Sequence, residues 1–196
     1  MTVTITHVYD DYEEAQDAVE DLEDAGFSAS DISIVRRHSE DGDSLDRGDM
    51  EEGDEGAATG ATLGGVVGAG AGLLASLGVI AIPGIGPLVA AGVLAATLTG
   101  AAGGAVTGGL LGALVDYGIE EDEAHVYAES VRRGSTLVSV RVPEARADEA
   151  DRIMRQHDPI DIQERGRAYR EAGWTAYDPT VPGYQDEMMR GRYRQL

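Results

Sequence analysis

The residues of this chain that could carry chemistry are four histidines, one serine inside an apolar run, and an aspartate-rich stretch. His7, His38, His125 and His157 are scattered, and none forms the HxxxH or HExxH pair that places two imidazoles on one helix face around zinc. Period-two patterning around His7 makes it a strand residue near the sheet surface. Ser76 lies among apolar residues with no His or Asp close in sequence, which suits a small packing residue rather than a nucleophile. Asp41-Gly42-Asp43-Ser44-Leu45-Asp46 lacks the closing glutamate at the spacing an EF-hand loop needs. The glycine-rich runs are not phosphate loops, since no GKS or GKT follows and Gly60-Ala61-Thr62-Leu63-Gly64 opens no βαβ crossover. The chain has no cysteine, which excludes disulfides, thiolate zinc sites and a thiol nucleophile. No catalytic residue, cofactor or metal ligand is therefore expected, and the chain reads as a non-enzyme.

Charge narrows the partners. Aspartate and glutamate number 36 against 15 basic residues, all arginine, for a net charge of −21. Such a surface repels nucleic acid phosphates and anionic headgroups, so DNA or RNA binding is excluded. The first residues lack a basic region followed by an apolar one, so no signal peptide is expected and the cytoplasm is the default compartment.

The elements that must position these residues follow from patterning. Residues 2–9 alternate with β-branched side chains and predict a strand. Asp10 or Asp11 caps a helix, on which Tyr12, Ala15, Val19 and Leu22 share one face, and Gly26 stands where a left-handed terminating residue belongs. Residues 31–37 predict a second strand. Residues 39–55 are too acidic to collapse and read as a flexible linker. Beyond the apolar block, Ile119, Ala124, Tyr127 and Val131 keep helical spacing until Gly134. Residues 136–142 predict a strand, Pro143 opens a helix carrying Ala147, Ala150, Ile153 and Met154, and residues 159–164 close as a strand. Two βαβ-type halves, at 1–38 and within 118–165, predict an α+β domain. Its expected form is a ferredoxin-like, four-stranded sheet with helices on one face. Residues 166–196 are rich in Trp and Tyr and read as a C-terminal arm, packed along the domain or docked to a second subunit or membrane interface.

Residues 56–115 contain no Asp, Glu, Lys, Arg or His. Gly60, Gly64, Gly68 and Gly72 repeat every four residues, as do Gly100, Gly104, Gly108 and Gly112, and the two sets mirror each other about Gly86. That symmetry predicts an antiparallel helical hairpin over 56–117, turning at Pro83, Gly84, Gly86 and Pro87. Arms at 57–82 and 88–115 would run about 39 and 42 Å, longer than a bilayer core of roughly 30 Å. Glycine costs a solvated helix about 1 kcal/mol relative to alanine, so these glycines are expected to form close-packed helix–helix ridges. Two environments fit: membrane lipid, with the polar parts in the cytoplasm, or the core of a soluble homo-oligomer. A third possibility, a disordered or aggregation-prone segment, stays open.

The helix pattern Tyr12-x-x-Ala15-x-x-Ala18-Val19-x-x-Leu22-x-x-Ala25-Gly26-Phe27, with Asp31-Ile32-Ser33-Ile34-Val35, resembles the N-terminal half of the bacterial general stress protein family, the heat- or low-temperature-induced type. Residues 118–124, Tyr127, Val131-Arg132-Arg133-Gly134 and Leu137-Val138-Ser139-Val140 are similar to its second half, and Gly173-Trp174 through Asp178-Pro179 to its C-terminal arm. The resemblance implies a stress link and a fold, and carries no catalytic residue across. The expected function is a non-enzymatic stress-associated protein whose glycine-zipper hairpin anchors it in the membrane, drives self-association, or both. The alternative is a soluble oligomeric regulatory module that binds an unidentified small molecule between sheet and helices, with the hairpin as its assembly core.

Overall fold

Strand β1, Thr2–Tyr9, sends Val3, Ile5, His7 and Tyr9 to one face and Thr4, Thr6 and Val8 to the other, as a two-residue repeat requires. The computed structural model describes residues 1–37, 78–82, 86–95 and 109–180. Helix α1, Tyr12–Asp24, opens at Asp11, whose carboxylate accepts the Glu13 N–H at 2.9 Å. It closes at Gly26, φ +80°, where the Gly26 N–H reaches the Glu23 carbonyl and the Phe27 N–H the Leu22 carbonyl. Strand β2, Ile32–Arg37, follows.

β1 and β2 do not pair with each other. Strand β5, Thr136–Pro143, lies between them and is antiparallel to both: Ser139 is the register partner of Thr6 on one side and of Ser33 on the other. β1-α1-β2 is thus a split βαβ unit whose gap is filled from the far end of the chain. Strands β3, Gly78–Ile82, and β4, Gly86–Gly92, extend the other edge, giving the order β1-β5-β2-β4-β3 with every neighbouring pair antiparallel. Helices α2, Gly109–Asp116, and α3, Glu121–Arg133, cover the face bearing Val8, Val35, Leu88, Ala90 and Leu137. Helix α1 and helix α4, Ala147–Met154, cover the opposite face of Tyr9, Ile32, Ile34, Val138, Val140 and Val142. Helix α5, Ile162–Glu171, packs on α3 through Gly166, where an added Cβ would touch Val126 at 3.1 Å.

The expected α+β class holds, but the arrangement differs from four strands with helices on one face. The second half supplies one strand rather than two. Ile160 and Ile162 share a spacing of two, yet Asp161 accepts the Gln163 and Glu164 N–H groups at 2.9 and 3.0 Å and starts α5 there. Only the Ile160 N–H, 2.8 Å from the Val8 carbonyl, continues the sheet edge.

The apolar block also departs from two helical arms. Residues 78–82 and 86–92 are an antiparallel β-hairpin with Ile82 opposite Gly86 and Gly78 opposite Ala90, so the mirror falls at position 84 rather than at Gly86. Val79, Ile80, Ile82 and Val89 are β-branched and favour the extended chain once neighbouring strands supply partners. Gly86 and Pro87, expected in the turn, belong to β4. Gly112 is helical, as expected, and half-buried in α2. Gly60, Gly64, Gly68, Gly72, Gly100, Gly104 and Gly108, the turn residues Pro83 and Gly84, and the linker 39–55 lie outside the described residues. Among the described residues, no helix is long and apolar enough to cross a membrane.

Candidate functional site

Three polar constellations interrupt the two apolar layers. The first lies where α4 crosses β1. His7 Nε2 stands 2.8 Å from Asp151 Oδ1, and Arg155 Nε donates to Asp151 Oδ2 at 2.7 Å. Burial lowers the His7 pKa against the opposing pull of Asp151. Burial alone would raise the Asp151 pKa, but hydrogen bonds from Arg155 and His7 outweigh it and leave the carboxyl lowered. The Tyr9 hydroxyl, raised in pKa by burial, donates to the Met154 carbonyl at 2.9 Å. An aspartate that orients an imidazole is half of a nucleophile-activating relay. Among the described residues no serine, threonine or tyrosine hydroxyl is hydrogen-bonded to the ring, so the pair ties α4 to the sheet.

The second constellation is on the flank of α3 away from the sheet. Glu129 is fully buried, and its two carboxylate oxygens are taken by Arg132 at 2.6 Å and Arg133 at 2.6 Å. Arg133 lies 4.1 Å over the Tyr169 ring, and Arg132 lies 5.8 Å from the ring of Tyr177. Ser130 and Tyr169 share a hydroxyl contact at 3.2 Å, and Tyr169 meets Trp174 edge to face at 5.7 Å. The Tyr177 N–H points at His125 Nδ1, 3.2 Å away, and burial pushes the Tyr177 hydroxyl up to about 12.

The third is a row of hydroxyls under α2 and α3. Thr6, Ser139 and Ser33 stand side by side on β1, β5 and β2. Ser33 Oγ accepts the Leu94 N–H at 3.1 Å, and the Tyr127 hydroxyl donates to the Thr6 carbonyl at 3.1 Å. The hydroxyls of Thr6, Ser139 and Tyr117 are buried without a hydrogen-bond partner. Such groups are uncommon in a protein interior and mark a site that tolerates polarity.

A cleft of about 220 Å³ separates the start of α3 from α5; Glu120, Asp122, Glu123, Gln163 and Arg170 form its rim. Gln163 donates to Glu123 across it at 2.8 Å. Among the described residues no group of three or more His, Asp or Glu side chains is placed to hold a metal ion.

Spacing places His7 on a strand and Tyr127 on a helix face, but it does not bring the members of these constellations together. Glu129-x-x-Arg132-Arg133 is legible as a helical ion pair, but its burial is not, because the covering Tyr169 and Tyr177 come from another element. His7 and Asp151 are 144 residues apart and meet only through the β1–α4 packing. Of the expected helix-packing glycines, the described structure contains Gly112 alone.

Residues 4–80 match the family model of the heat induced stress protein YflT domain. Over that stretch the chain is similar to the heat induced stress proteins. No curated protein and no solved structure matches it. The matched stretch begins within β1, holds α1 and β2 and ends within β3; β5, which fills the gap between β1 and β2, lies outside it. The sheet that the matched stretch begins is therefore completed by residues beyond the match.

Proposed function

We propose that the chain is a non-catalytic, stress-associated assembly module, in which the apolar block serves packing between protein surfaces. The observation that carries this is the seating of β4 on β2, from Ser33 opposite Gly92 to Arg37 opposite Leu88. It draws Leu88, Val89, Ala90 and Ala91 into the buried domain. A membrane hairpin needs two apolar stretches of about 20 residues. With Leu94 buried in the same core, Val93 and Ala95 packed on it, and α2 buried through Leu110 and Leu114, thirteen residues, 96–108, are left for the second stretch. The four-residue glycine spacing on either side of the hairpin then suits contact between chains, where small residues let backbones approach.

Purification without detergent, followed by light scattering, tests this. The expected outcome is a defined homo-oligomer that Gly68→Leu with Gly104→Leu dissociates while leaving the helix and sheet signals intact. Recovery only from the membrane fraction, with release by detergent alone, overturns it in favour of anchoring. The unpartnered hydroxyls of Thr6, Ser139 and Tyr117 favour one second reading, a small polar ligand between sheet and helices. A thermal-shift screen of polar metabolites checks it: stabilisation that Ser139→Ala abolishes supports that reading.

A further inference from the structure

Residues 173–178 leave α5 and cross the flank of α3 as a strap. Gly173, φ +89°, turns the chain out of the helix, and the Trp174 N–H returns to the Tyr169 carbonyl at 2.9 Å. Beyond that turn the strap is held by two aromatic side chains and one backbone hydrogen bond. The Tyr177 ring is 4 % exposed and joins the α2–α3 core, against which Trp174 also packs. Yet the Trp174 indole N–H and the Tyr177 hydroxyl are both buried without a partner, so neither polar end fastens the strap. Among the described residues, the hydrogen bond that ties the strap to α3 is the Tyr177 N–H on His125 Nδ1, 3.2 Å away.

That bond fixes the protonation state it can tolerate. Nδ1 accepts only when it carries no proton, so the latched imidazole is the neutral tautomer with its hydrogen on Nε2. Adding a proton turns the acceptor into a donor facing a second donor, and the strap loses its hydrogen bond to α3. On α3 the charged groups one turn from His125 are Glu121, Asp122 and Glu129, with Arg132 further on. Glu129 is already occupied by its two arginines. The strap contributes Asp178 and the Tyr177 phenol; α2 carries only Asp116, exposed at its end; α5 carries Glu164, Arg165, Arg167, Tyr169, Arg170 and Glu171.

We propose that residues 173–178 are a proton-sensitive strap, latched by His125 and released when that imidazole is protonated, which uncovers Trp174 and Tyr177. Trp174 is the only tryptophan in the chain, so its fluorescence reports on the strap alone. Emission, acrylamide quenching and far-ultraviolet circular dichroism of the full chain are measured between about pH 8 and pH 5, the interval in which imidazoles titrate. The expected result is a reversible red shift and a several-fold rise in quenching with an unchanged circular dichroism spectrum. His125→Gln keeps an acceptor that does not titrate and is expected to hold the strap closed throughout. His7→Gln and His157→Gln are expected to retain the wild-type transition. A wild-type emission that does not move overturns the proposal. So does a transition that survives in His125→Gln, or one that coincides with loss of helix signal.

Discussion

Ser33 on β2 and Gly92 on β4 face each other so closely that no side chain fits on the glycine. A Cβ at position 92 would stand 1.9 Å from the Ile32 carbonyl oxygen and 2.8 Å from the Ser33 Cα, and the backbone there has φ +84°. The glycine is demanded by the junction between the apolar block and the sheet, where the chain leaves β4 and the Leu94 N–H turns back to Ser33 Oγ. Gly92→Ala must therefore move backbone as well as adopt a left-handed conformation. It is expected to destabilise the domain by at least about 2 kcal/mol. Gly26→Ala, with φ +80° and nothing within 4 Å of the added carbon, bears the conformational term alone, about 1 kcal/mol. Urea midpoints of the two variants check the difference; equal losses would mean that β4 is not seated on β2.

Glu129 is fully buried and its single carboxylate bridges two arginines, Arg132 being 5 % exposed. Removing the carboxylate takes away the buried charge that Arg132 and Arg133 share. Glu129→Ala is expected to cost about 3–5 kcal/mol, as loss of one partner of a buried pair typically does. Asp151→Ala, which breaks the Arg155 pair at the more exposed α4 surface, is expected to cost less. Thermal denaturation of both variants gives the ranking.

Stability should fall toward acid for a reason that can be located. The His7 pKa is lowered from 6.5 in the folded chain, so the unfolded chain binds more protons as pH drops through that value. The folded state is thus penalised progressively from about pH 6.5 down to the lowered His7 pKa. The Asp151 pKa is lowered from 3.8, so its contribution is present above that value and lost as pH falls through the folded pKa. Replacing His7 with Gln is expected to flatten the first slope and to reduce the second without abolishing it, because Arg155 still holds Asp151. Urea titrations at stepped pH measure both.

The family match ends at residue 80, but β1 and β2 pair with β5 and not with each other. A fragment of residues 1–108 lacks the strand that joins them. It is expected to show no cooperative unfolding transition, and to regain one when residues 109–196 are added in trans. A cooperative transition in the fragment alone would contradict the split-sheet topology.

Much of this fold is legible in the sequence, because β1, α1, β2, α3 and β5 each carry one strong period and a stop signal. Gly26 and Gly134 end their helices with positive φ as expected. The hairpin β3–β4 was not legible because a run of small and apolar residues satisfies helix and strand templates alike. What decides between them is the β2 edge, outside the run itself. At the start of α5 the sequence is ambiguous, because Ile160 and Ile162 mimic strand alternation while the Asp161 cap makes a helix. The polar constellations escape sequence reading for a common reason. The His7–Asp151 pair, the buried Glu129 and the Thr6–Ser139–Ser33 row all depend on which elements the topology stacks, and no local period encodes that.

The placement of the apolar block in the sheet can be read directly, because the chain contains no cysteine and any engineered pair is unique. Val35 and Ala90 are register partners on β2 and β4 and point into the same core. Antiparallel partners sit about 4.5–5.5 Å apart at Cα, within the span of a disulfide. Val35→Cys with Ala90→Cys, oxidised without detergent or lipid, is predicted to form an intramolecular disulfide in high yield. Val35→Cys with Ala91→Cys, whose side chains face opposite sides of the sheet, is predicted not to. Failure of the first pair to close, or equal closure of both, would contradict the account that residues 86–92 are a strand of the domain.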